Sequence, residues 1–201
     1  MKSQDPHFTD PHVDLDQIFH HTELPQTKLA KRLDRFVEFV GTTFSWCWVL
    51  LVAVIVINVV MRYVFGNGRV EFEELQWHLY SAGFLIGLSY CVVHDDHVRV
   101  DILHDRFNVR TQAWVELFGI LFLLMPFIGT IIFFSIPYVL YSWELNEYSD
   151  APGGLPARYV IKSFLLWGFG LLALSVIARL LRVTALLFGK PTPLLTSGEE
   201  I

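Results

Sequence analysis

Three groupings in the chain carry side chains able to do chemistry. The run His94-Asp95-Asp96-His97 sets two imidazoles and two carboxylates in succession, and both are competent ligands for zinc and related metals. Successive residues point in different directions on a helix or a strand, so adjacency is not convergence. The run is expected to be a hydrated loop with a structural salt bridge. Glu73 and Glu74 stand together at the start of an apolar stretch, and intramembrane acids commonly mark an ion path. These two fall at the boundary of the stretch instead of its middle, where a carrier binds its substrate. Pairing with Arg62, Arg69 or a partner subunit fits that position better. His7, His12, His20 and His21 are scattered over a segment broken by Pro6, Pro11 and Pro25, without the spacing of a metal site.

Other chemistries lack their residues. A membrane haem needs histidines facing one another from different helices, and His78 alone lies within an apolar stretch. There is no phosphate-binding loop, nucleophile elbow or zinc-protease helix. The chain is therefore expected to have no catalytic residues, metal ligands or cofactor, and no basic patch points to nucleic acid. Cys47 and Cys91 sit in or beside apolar stretches and suit reduced packing cysteines.

The elements that position these residues follow from composition. Of 201 residues, 53% are hydrophobic and 17% charged, with a mean hydropathy of +0.45. Four apolar stretches reach the roughly 20 residues needed to cross a hydrocarbon core about 30 Å thick. The expected fold is an all-α integral membrane domain over 27–189, with transmembrane spans at about 44–64, 75–93, 115–139 and 159–181. Polar tails are expected at 1–26 and 190–201, the first lacking the apolar core of a secretory signal.

Ahead of the first span, Leu29, Leu33, Phe36, Val37 and Val40 share one helical face, and Lys28, Lys31, Arg32 and Arg35 supply a basic one. This amphipathic segment is either an interfacial helix against anionic headgroups or the first turns of a long transmembrane helix. In the second span, Gln76, Tyr80, Gly83, Gly87 and Tyr90 form one stripe with a GxxxG spacing, predicting a face packed on protein. Pro126 predicts a kink within the third span.

Lys and Arg number eleven in the N-terminal segment, the loop after the second span and the C-terminal end, against four in the other two loops. That bias places both termini in the cytoplasm. The opposite face then collects Glu71, Glu73, Glu74, Glu144, Glu147 and Asp150. Two readings of this acidic rim stand open: a docking surface for a basic partner, and a solvated loop that merely obeys the charge bias.

The series Met61-Arg-Tyr-Val-Phe-Gly66, then Glu73-Glu74-Leu75 opening a span, then His97-Val-Arg-Val-Asp-Ile102, resembles the small, Q-type (DctQ-like) membrane subunit of TRAP transporters, the tripartite ATP-independent periplasmic uptake systems. Pro152-Gly-Gly-Leu-Pro-Ala-Arg158 is similar to the mannitol/chloroaromatic branch. The likeness covers about Lys28 to Arg182. It departs in a longer N-terminal segment and in Asp95-Asp96, where the family often has glycine.

The resemblance implies a four-helix, non-catalytic subunit in the bacterial inner membrane. Its partners would be a large membrane subunit, which holds the substrate and sodium sites, and a periplasmic substrate-binding protein that delivers a small organic acid. The polar residues themselves lie at the two faces, so His97, Arg99 and Asp101 are assigned a structural role, locking the inner hairpin or a contact with the large subunit, and Glu73 and Glu74, with Arg62 as a pairing cation, the outer end of the assembly. Gly83 and Gly87 would pack, and Glu144, Glu147 and Asp150 would serve the rim. The alternative is a membrane anchor for a respiratory or other enzyme complex, recruiting its partner through the acidic loops.

Overall fold

The computed structural model describes residues 25–95 and 108–189. Over these residues the chain is helical, in the order α1 (Lys28–Phe44), α2 (Trp46–Tyr63), α3 (Val70–His94), α4 (Val109–Phe118), a π-helical turn (Gly119–Leu124), α5 (Met125–Glu144) and α6 (Arg158–Phe188). Thr27 caps α1, its Oγ1 accepting from the Ala30 amide at 3.3 Å, which satisfies one of the free donors of the first turn.

The amphipathic segment and the first span form one long helix. Ser45, between α1 and α2, keeps right-handed helical dihedrals, and Lys28–Tyr63 runs as 36 residues. At 1.5 Å per residue this is about 54 Å, well beyond a hydrocarbon core of about 30 Å. Its basic half therefore extends past the apolar slab while the same helix carries on through it. Ser45 and Thr43 turn their hydroxyls back to the carbonyls of Thr42 and Phe39, which hides polar groups inside the helix.

Among the described residues, three helices are long and apolar enough to cross a membrane: Lys28–Tyr63, Arg110–Glu144 and Arg158–Phe188. The expected third span lies inside the second of these. Pro126 has no amide proton for the Phe122 carbonyl, and its ring would crowd it. The helix answers with the π-helical turn immediately before the proline, a known way of absorbing such a break. The expected second span lies within α3, whose first two turns carry Glu71, Glu73, Glu74, Gln76 and His78.

Helix α6 is the hub, packing on α3, α5, α1 and α4. Its stripe Leu172, Val176, Arg179 and Val183 is buried, and Leu172 and Val176 join Val92, Ile120 and Ile128 in one apolar cluster. A second cluster joins Leu171 to Val37 and Ile86. Close approach is bought at two glycines. A Cβ on Gly168 would lie 2.8 Å from the Leu85 Cβ, and one on Gly41 would lie 2.6 Å from the Tyr90 ring. By contrast, α2 and α5 leave Val52, Val56, Phe133, Phe134 and Leu140 exposed, as a lipid- or partner-facing surface requires.

Candidate functional site

The ion-paired side chains among the described residues gather towards the two ends of the bundle. At the end formed by the α2–α3 turn and the α5–α6 loop, Arg62 donates to Glu73, with both side chains near half exposed. Glu74, the neighbouring residue, does something different. Its Oε2 accepts from the Leu155 amide at 2.5 Å and its Oε1 from the Ser149 hydroxyl. One carboxylate thus ties the start of α3 to a loop some 80 residues away, which closes on itself through Ser149 N to Leu155 O at 3.2 Å and Gly154 N to Ala151 O at 2.9 Å. Gly154 fits because it has no side chain: a Cβ there would stand 2.4 Å from the Ser149 Cβ and 2.9 Å from Glu74 Oε1. Glu74 lies just ahead of the apolar stretch. The hydrogen bonds from Ser149, then Leu155, hold its carboxyl below the usual range.

The acidic rim is largely answered within the chain. Glu147 accepts from Lys162, whose ammonium also sits 4.3 Å from the Tyr138 ring centre, and Arg158 lies 4.0 Å from the same carboxylate. Lys162 is the main reason the Glu147 carboxyl is held low. Arg158 reaches Asp150 at 3.5 Å. Glu144 is exposed and, like Glu71, has no ion partner among the described residues. Lys162 and Arg158 are therefore part of this site, although charge counting treats them only as exceptions to the positive bias.

The opposite end holds a buried charge cluster. Arg179, 9% exposed, donates through Nε to Glu116 on α4 and through Nη1 to Asp95 at the end of α3. One turn on, Arg182 Nη2 donates to Asp34 on α1 at 2.7 Å. Two arginines of α6 thereby bind three other helical segments. Asp95 stands at φ +60°, in the left-handed region that ends helices and favours glycine or asparagine. Its carboxylate, which a glycine would lack, is bonded to Arg179.

Asp34 and Glu116 escaped the reading of the sequence. The signal was there for Asp34, which interrupts the stripe Ala30, Val37 and Gly41 that turns inward on α1. His97, Arg99 and Asp101 lie outside the described residues. On α3, Gly83 packs as expected, with the Trp48 ring 3.3 Å from where its Cβ would be. Tyr80 meets the same Trp48 edge-on at 5.9 Å. Gly87 has nothing within 4 Å and opens into a groove beside Gly41 and Ser45. The stripe thus packs on α1 and α2 at some positions and is vacant at Gly87.

A family model, the DctQ component of tripartite ATP-independent periplasmic transporters, matches residues 51–186. The chain belongs to the DctQ family. It is accordingly a small membrane subunit of a transporter of this kind, and a multi-pass membrane protein. A search of curated proteins finds no match. Within the matched region fall Arg62, Glu73, Glu74, Glu147, Asp95, Glu116, Arg179 and Arg182, so both charged ends belong to the family segment except for Asp34.

Proposed function

We propose that this DctQ-family chain is a non-catalytic scaffold for the large membrane subunit of its transporter, supporting sodium-coupled uptake of a small organic acid delivered by a periplasmic binding protein. The observation that carries the reading is the family match over residues 51–186. The placement of charge supports it: the ion pairs described above lie towards the two ends of the bundle, where partners are met, whereas a carrier holds its ionisable groups at a broken-helix site near the midplane.

In this reading α3 is the fourth span, with its acidic end toward the periplasm, and both chain termini face the cytoplasm of the bacterial inner membrane. A 25-residue helix is about 38 Å long, enough to cross with the turns bearing Glu71, Glu73 and Glu74 at the surface. The domain then comprises 27–189 between polar tails. Gly83 and Gly87 serve packing within the chain and against the large subunit. His97, Arg99 and Asp101 serve the inner contact. Glu144, with Glu71, is the part of the acidic rim free to meet the binding protein, while Glu147 and Asp150 shape the loop that presents it.

Purification of the tagged full-length chain in mild detergent tests the proposal. A large multi-span subunit should accompany it in stoichiometric amount. Purification alone, or with a haem-bearing enzyme, would refute the scaffold reading and favour the enzyme anchor.

A further inference from the structure

Two of the grooves among the described residues contrast in chemistry. One, of about 280 Å³, is lined by Gly41, Thr42, Ser45, Gly83 and Gly87 with aromatic and Ile86 edges. Small residues of this kind let a neighbouring helix backbone come close. The other, of about 660 Å³, lies between α1 and α6, and its walls include Phe36, Val40, Phe44, Phe164, Trp167 and Leu174. That volume is typical of a small-molecule site. Its bulky walls hold a helix backbone away and leave room for a thin, flexible hydrocarbon chain.

Charge marks one end of this second groove. Phe36 lines it, and Arg32 lies one helical turn earlier on the same side of α1. Lys28, Lys31, Arg32 and Arg35 are all exposed, and none has an ion partner among the described residues. Of the acids on α1, Asp34 is turned to Arg182 and Glu38 is exposed, so the outward balance of the segment is positive. The groove is apolar for about 12 Å along α1, from Phe36 to Phe44, and then meets cations at its mouth.

We infer that this groove holds one acyl chain of an anionic phospholipid, with Arg32 and Arg35 meeting the phosphate. An apolar slot ending in basic side chains complements both halves of such a lipid, and juxtamembrane cations attract anionic headgroups. The inference needs the chain to be in a bilayer but does not depend on its being a scaffold for a transporter.

The test uses the full-length chain, with any subunit that accompanies it, in nanodiscs of mixed phosphatidylglycerol and phosphatidylcholine. Lipid retained after mild detergent extraction is identified by native mass spectrometry. The expected result is retained phosphatidylglycerol in excess over phosphatidylcholine, with that preference falling about fivefold for each of Arg32→Gln and Arg35→Gln. Gly170→Leu should reduce retention of both lipids. Gly170 lines the groove, and a Cβ there meets nothing within 4 Å, so the added side chain starts in open space. As a check independent of these variants, Trp167→benzoylphenylalanine should give a lipid adduct on irradiation. Absence of retained lipid, equal retention of the two lipids, retention unchanged by Gly170→Leu, or a protein adduct from position 167 would each overturn the inference.

Discussion

The two charged ends of this chain use the same residue types for different physical work. At the end formed by the α2–α3 turn and the α5–α6 loop, Glu73 and Arg62 are near half exposed, and an exposed pair contributes about 0–1 kcal/mol after screening and side-chain ordering. At the opposite end Arg179 is almost fully buried and is held by two carboxylates from different helices. There the whole pairing has a modest net value, but removing one member leaves charge without compensation, at about 3–5 kcal/mol. An acid's weight in the fold thus follows its burial and its partner: Glu73, next to Glu74 in the sequence, holds an exposed pair, whereas Asp95 and Glu116 hold the buried Arg179. Where a carboxylate meets backbone, as Glu74 does, it acts as a clasp on a loop instead of as a charge.

The largest expected effect is therefore at the Arg179 end. Arg179→Met should destabilise the bundle by about 3–5 kcal/mol, read as loss of folded protein in detergent thermal denaturation. Adding Glu116→Gln and Asp95→Asn should restore much of that loss, since it removes the orphaned charges. If the single and triple variants were equally unstable, Arg179 would be acting by packing alone. Next comes close packing at the hub. Gly168→Ala places a methyl group 2.8 Å from the Leu85 Cβ, and forcing α3 from α6 should cost about 1–3 kcal/mol by the same measurement. An unchanged stability would show that the two helices separate freely.

Glu74→Ala should cost about 1–3 kcal/mol, by leaving the Leu155 amide and Ser149 hydroxyl without their acceptor. It should also raise hydrogen exchange in the 149–155 loop, with little change around Arg179. The same loop supplies a pH prediction. Glu74 and Glu147 have carboxyls held below the ordinary value of 4.5. Their contribution to stability is present above that value and is lost as pH falls through the lowered one. Protection of the Leu155 amide, relative to its intrinsic exchange rate at each pH, should thus fall below about pH 4.5 and stay level between neutral pH and that point. A loss of protection near neutrality would contradict the assignment. The smallest effect is expected from Arg62→Gln with Glu73→Gln, whose coupling in a double-mutant cycle should stay within about 1 kcal/mol.

The same contrast explains what the sequence disclosed. The helices were legible because apolar runs of membrane length have few alternatives. For Glu73 and Glu74 the nearby cations Arg62 and Arg69 were both legible as partners, and the fold pairs Arg62 with Glu73. Helix lengths were less so, because the basic face of Lys28–Arg35 suits an interfacial helix and the end of a long one equally well. Pro126 announced a disturbance, but whether the backbone bends or widens depends on its neighbours. The partners of Glu74 and Arg179 lie 63 to 84 residues away, and no local pattern specifies such pairings. One hint was available: a charged residue in an inward stripe, as with Asp34 and Arg179, has to find a buried partner.

The central claim is that the chain holds a transporter together and does not carry substrate itself. Reconstitution into proteoliposomes tests it most directly, by following uptake of a labelled small organic acid under an inward sodium gradient in the presence of the periplasmic binding protein. The account predicts no uptake with this chain alone, none with the large subunit alone, and uptake when the two are combined. Sodium-dependent uptake by this chain without the large subunit would contradict it.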